Sequence, residues 1–178
     1  MNAVSSALQR MMDVLQRRPQ FGLHDDSRAT AHWQQGTRVV VSHANGTQLG
    51  TDMPTELGGS GDQVTPGWLF RAGLASCASA SIILMAAQEG IELTGLDIDA
   101  TSRSDTRGLL GVPDEAGNRV YAGPGELALQ VRISARNASA ETLRALVEEA
   151  LRRSPVPNAA QHASPIALHI DVATAVPA

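Results

Sequence analysis

Residues 65–89 read TPGWLFRAGLASCASASIILMAAQE. Thr65 is a natural helix N-cap, Pro66 suits the first helical position, and Gly90 supplies a stop. Between Arg71 and Gln88 no residue is charged. The helix is therefore apolar almost all the way round and must be surrounded by protein on most sides. At 1.5 Å per residue it is about 36 Å long. One sheet face from a single domain leaves much of such a helix uncovered. A second subunit covers the rest, so the segment predicts a homodimer with this helix near the two-fold axis. The only cysteine of the chain, Cys77, lies at its middle.

Outward from this helix the pattern alternates between helical and strand periods. Residues 1–20 form an amphipathic N-terminal helix whose Leu8, Met11, Met12 and Leu15 share a stripe that ends before Pro19. RATAHWQ and TRVVVSH, then TQLGTD after Asn45-Gly46, read as three short strands with a two-residue hairpin turn. The GGSG run at residues 58–61 reads as a flexible turn. Beyond Gly90, Leu96, Ile98 and Ala100 alternate with Asp97, Asp99 and Thr101. Leu127, Leu129, Val131 and Ile133 form another half-buried strand. Residues 104–125 are a long polar loop. Ser139 caps a helix carrying Leu143, Leu146, Val147, Ala150 and Leu151, and Ile166, Leu168, Ile170 and Val172 close the chain as a strand. The expected class is α+β. It has an antiparallel sheet of about six strands and a long buried central helix, in a single domain spanning residues 1–178.

Composition narrows the function. The net charge of −4 and pI near 5.7 argue against nucleic acid and anionic membranes as partners. All 14 basic residues are Arg, which removes a lysine Schiff base and a phosphate-binding P-loop lysine. One cysteine makes no internal disulfide, which suits a reducing cytoplasm. The uncharged run at residues 72–87 is too short and too rich in Ala, Gly and Ser to suggest a bilayer span. The scattered histidines show no metal-ligand spacing, and no cofactor motif occurs.

The segments ELGGSGDQVTPGWLFRAGLASC (residues 56–77) and SPVPNA (residues 154–159) resemble the OsmC/Ohr family of peroxide-stress proteins. The resemblance implies an intertwined dimer with two long central helices. It also implies reduction of organic hydroperoxides by a cysteine thiolate, helped by an arginine and a glutamate and resolved by a second cysteine. Carried over residue by residue, the nucleophile is Cys77 and the arginine is Arg38, with Arg28 as the fallback. The glutamate position is occupied by Gly67 and the resolving-cysteine position by Ser154.

A thiol is mostly protonated at neutral pH, so a reactive Cys77 needs partners that favour its thiolate. Arg71, the only charge on the helix, lies six residues away and on its other side. Phe70 and Leu74, near Cys77, are the expected walls of an apolar groove between subunits. Ser154 before Pro155 reads as an N-cap, and its hydroxyl could hold a ligand oxygen near the thiol. Two functions follow. One is a thiol-dependent peroxidase acting on organic hydroperoxides and needing an external thiol reductant, because the chain has no second cysteine. The other is a non-catalytic protein of the same fold that binds a small apolar or thiol-containing ligand in the groove.

Overall fold

The computed structural model describes residues 3–162 and 164–173. The central helix, α2, runs Pro66–Gln88 as expected. Thr65 caps it, its side chain accepting the Trp68 N–H at 3.2 Å, and Gly90 follows its end at φ +69°. Before it come helix α1 (Ala3–Arg17) and strands β1 (Ala29–Gln35), β2 (Arg38–His43) and β3 (Gln48–Thr51). These strands form one antiparallel sheet in the order β1-β2-β3, with Asn45-Gly46 turning β2 into β3. A parallel bridge between Thr51 and Val64 ties the end of β3 to the start of α2.

After α2, strand β4 (Leu93–Arg103) pairs antiparallel with β5 (Gly125–Ala135). The register places Leu96 opposite Ile133, Ile98 opposite Val131 and Ala100 opposite Leu129. One apolar face is thereby presented to α2. Helix α4 (Ala140–Arg152), capped by Ser139, packs on the same helix. Ile82, Met85 and Ala86 of α2 meet Leu143, Leu146 and Ala150 of α4, over a layer that includes Leu96, Ile98, Val131 and Ile133. Each fully buried side chain of this kind contributes roughly 1.5–3 kcal/mol. Helix α5 (Pro155–Gln161) then turns back against α2.

Several expectations change. The described residues contain five strands in two sheets, not about six in one. Residues 166–172 have no regular secondary structure and no strand partner, and Ile166, Leu168, Ile170 and Val172 are all at least 73% exposed. Their alternation is that of a strand, but no free sheet edge within this chain receives them. The long loop contains a short helix, α3 (Thr106–Leu110), capped by Asp105. By length and composition α2 could cross a membrane, yet here it packs against β4, α1, α4 and α5. Nor is it wholly buried: Phe70, Ile83 and Leu84 remain open on its outer side.

Candidate functional site

Cys77 faces the junction of α4 and α5. Two donors converge on its sulfur: the Ser154 hydroxyl at 3.3 Å and the Val156 backbone N–H at 3.4 Å. The sequence explains both. Pro155 and Pro157 have no N–H, and the Asn158 N–H is taken by the Ser154 carbonyl at 3.0 Å. Val156 therefore carries the one unpaired amide of this helix start, and it points at sulfur. Ser154 is fully buried and occupies the N-cap position, but its side chain makes no capping bond. The expected capping role is replaced by donation to Cys77. The Asn158 side-chain amide fixes the corner by bonding the carbonyls of Leu151, Arg152 and Ser154 at 2.8–3.3 Å.

An apolar cavity of about 400 Å³ is lined by Leu74, Leu127, Leu129, Leu151 and Pro157 among others; it is reached through neighbours of the site, and Cys77, Ser154 and Val156 do not themselves line it. Leu74 is one helical turn before Cys77, and Pro157 follows Val156. Phe70, expected to wall the same groove, is 38% exposed and is not part of this lining.

Arg38 stands elsewhere. Its Nη2 bonds Ser60 Oγ at 2.6 Å and Asp62 Oδ1 at 2.5 Å, and lies 3.5 Å from Asp52 Oδ2. It makes no hydrogen bond to Cys77 among the described residues. Arg28, the fallback, is exposed. Asp52 is the centre of this cluster and is buried. It accepts the Thr37 hydroxyl, the Ser60 hydroxyl and N–H, and the Met53 N–H. The Ser60 hydroxyl first, then Thr37 and the Ser60 N–H, hold the Asp52 carboxyl well below the usual carboxylate range. Asp62 is lowered by the Ser60 hydroxyl and by Arg38. The Ser60 hydroxyl has a single proton, so it serves one of these carboxylates at a time. The GGSG run is thus a clamp over Asp52 and not a flexible turn. Its signal lay in Asp52 and Asp62, which composition alone does not connect to Ser60.

The residues brought together are Cys77, Ser154 and Leu74. Arg38 and Phe70 are not among them. No group of metal-ligating side chains gathers among the described residues.

Residues 59–169 match the family described as OsmC-like protein, a stretch that includes Cys77 and Ser154 and begins after Arg38. No curated protein sequence matches the chain. Among solved structures, an OsmC-like protein from Mycoplasma pneumoniae superposes with a TM-score of 0.64 at 20% identity. That match covers 79% of this chain and 90% of the other. An organic hydroperoxide resistance protein OsmC from Legionella pneumophila gives 0.56 at 25% identity, over 79% and 92%. An organic hydroperoxide resistance protein from Elizabethkingia anophelis gives 0.57 at 23%, over 79% and 91%.

Proposed function

The chain belongs to the OsmC-like protein family, and from that membership we propose that it reduces organic hydroperoxides through the Cys77 thiolate, as a cytoplasmic homodimer. The observation that carries this reading is the convergence of the Ser154 hydroxyl and the Val156 N–H on one sulfur, near an apolar cavity lined by the neighbouring Leu74 and Pro157. The cavity suits the apolar part of a hydroperoxide.

The chemistry is that of a single cysteine. The Cys77 thiolate attacks the distal oxygen of the hydroperoxide, the O–O bond breaks, and the alkoxide takes a proton and leaves as an alcohol. Sulfur is left as sulfenic acid. With serine at position 154 there is no internal thiol to condense with it. An external thiol displaces water to form a mixed disulfide, and a second thiol returns Cys77 to the reduced state while leaving as a disulfide. In this reading Arg38 must release Asp62 to approach the sulfur.

The alternative is a non-catalytic member of the fold that binds a small apolar or thiol-containing ligand in the same cavity. It is favoured by the commitment of Arg38 to Asp52 and Asp62 and by the absence of a carboxylate at Gly67. One measurement separates the two: intact mass after a slight excess of cumene hydroperoxide in the presence of dimedone, against Cys77→Ser. Peroxidase chemistry gives one adduct that forms within seconds and is absent from the variant. A thiol still unmodified after minutes removes the catalytic reading.

The dimer is supported by apolar surface that the single chain leaves open. Phe70, Ile83 and Leu84 lie on the outer side of α2, and the unpaired alternating segment at residues 166–172 adds to it. Sedimentation of the purified chain should give twice the 18.7 kDa monomer mass. Leu84→Glu should shift it toward monomer, because burying an unpaired carboxylate in that interface is strongly unfavourable. A wild-type monomer at micromolar concentration would remove the dimer from the proposal.

A further inference from the structure

Only two of the 14 arginines are half-buried, Arg38 and Arg71; the other twelve are exposed. Arg38 is matched by the carboxylates of Asp52 and Asp62. Arg71 has no carboxylate partner among the described residues. Its one recorded bond is from Nη1 to Ser102 Oγ at 3.3 Å. A guanidinium has five N–H donors, and partly buried charges are ordinarily paired. It is also the only charged residue of α2.

Arg71 opens on a second groove, of about 520 Å³, between α2 and β4. At 100° per residue it lies about 120° round the helix from Cys77, so the groove is distinct from the cavity near the thiol. Trp68, 46% exposed, stands at one end, and Ala72, Ala75, Ile98 and Ala100 supply an apolar floor. Asp99 also reaches the groove, but its carboxylate is held by Arg132 Nη1 at 2.7 Å. The cation is therefore left for an occupant from outside.

Gly67 explains why the position is open. It precedes Arg71 by four residues, the spacing at which helical side chains meet. A Cβ built there would lie 3.8 Å from Arg71 Nη1 and 3.9 Å from Thr65 Oγ1, which is ordinary contact. A glutamate at this position would fit and would pair with the guanidinium. Glycine leaves the pair unmade.

We infer that the groove of Trp68, Arg71, Ile98 and Ala100 binds a small amphipathic monocarboxylate. Its carboxylate would pair with Arg71 and its apolar, preferably aromatic, body would lie against Trp68 and the alanine floor. A carboxylate can take two parallel N–H bonds from the guanidinium. The indole offers a face for stacking. This inference does not depend on whether Cys77 is reactive.

The test uses the full chain carrying Trp33→Phe, so that Trp68 is the only tryptophan. Trp33 is 72% exposed and distant in sequence from the groove, so its replacement is mild. Tryptophan fluorescence is titrated with 4-phenylbutyrate and, separately, with the neutral 4-phenylbutanol. The expected result is saturable quenching by both, with the acid bound about tenfold more tightly, as one charge-assisted pair warrants. Arg71→Gln should abolish that preference. Gly67→Glu should abolish it with Arg71 still present, and Gly67→Gln, similar in size without the charge, should retain most of it. Equal affinity for acid and alcohol in the starting protein overturns the inference. So does a preference that survives both Arg71→Gln and Gly67→Glu, since the acid would then be held by another cation.

Discussion

Ser154→Cys is expected to give a chain that closes an internal disulfide to Cys77 when treated with one equivalent of cumene hydroperoxide. The Ser154 oxygen lies 3.3 Å from the Cys77 sulfur, and the serine is fully buried with its backbone fixed by the Asn158 amide. A thiol on the same Cβ needs only a shift on the order of 1 Å to reach a 2.05 Å S–S bond. In the reaction, Cys77 sulfenic acid loses water to the introduced thiol, so two thiols are consumed per peroxide. The wild-type chain has no such route. The bridge would close a loop of about 78 residues, worth roughly 4–5 kcal/mol in the chain-entropy account. For a domain of this size the oxidised variant should melt on the order of 10 °C above its reduced form. Thiol counting and intact mass under non-reducing conditions read the bond directly, and calorimetry reads its effect. Diamide serves as the control oxidant. A disulfide with diamide but not with the hydroperoxide would establish the geometry and sink the peroxidase chemistry. Two free thiols under both oxidants would sink the geometry.

Much of this arrangement was legible in residues 65–89, because a cap, a proline and an uncharged run leave little freedom in what α2 can be. The α4 helix and the β4–β5 pair were legible for the same reason: their periods are clean, and their apolar faces point to one partner. Ser154 was harder. Ser-Pro is an N-cap signal in any sequence, and nothing local reveals that the hydroxyl turns away from its own helix to a sulfur 77 residues earlier. Arg38 was harder for another reason: it was matched to the family outside the motif segments, and nothing local announces that its guanidinium pairs with the carboxylates of Asp52 and Asp62. The strand expected at residues 166–172 has the right alternation. Alternation reports two faces, however, and does not say on which chain the receiving edge lies.

The second large effect is expected at Gly59, in the clamp that holds Arg38. A Cβ built on Gly59 would lie 1.7 Å from the Met53 carbonyl oxygen and 2.4 Å from its carbon. Both are backbone atoms, so no side chain can rotate away to make room. The Gly59 N–H also bonds the Pro54 carbonyl at 3.1 Å, which holds the two segments in contact. Gly59→Ala must therefore push the loop off Asp52 and break the bonds from the Ser60 N–H at 3.1 Å and the Ser60 hydroxyl at 2.6 Å. A buried carboxylate that loses its donors keeps its desolvation cost. The combined loss should be roughly 3 kcal/mol, lowering the melting temperature by about 6–12 °C for a chain of this length. Cleavage by a nonspecific protease within residues 53–63 should appear under conditions where the wild type resists. The acid response gives an independent check. Asp52 is held below its unfolded value, so its contribution is complete above the ordinary carboxylate range and fades as pH falls through that range toward the folded value. Wild-type stability should therefore decline with acid over that interval, and Gly59→Ala, having already lost the clamp, should decline less. A variant melting within 2 °C of wild type would mean that the loop accommodates a methyl group without moving, and that Ser60 is not what keeps Asp52, and through it Arg38, in place.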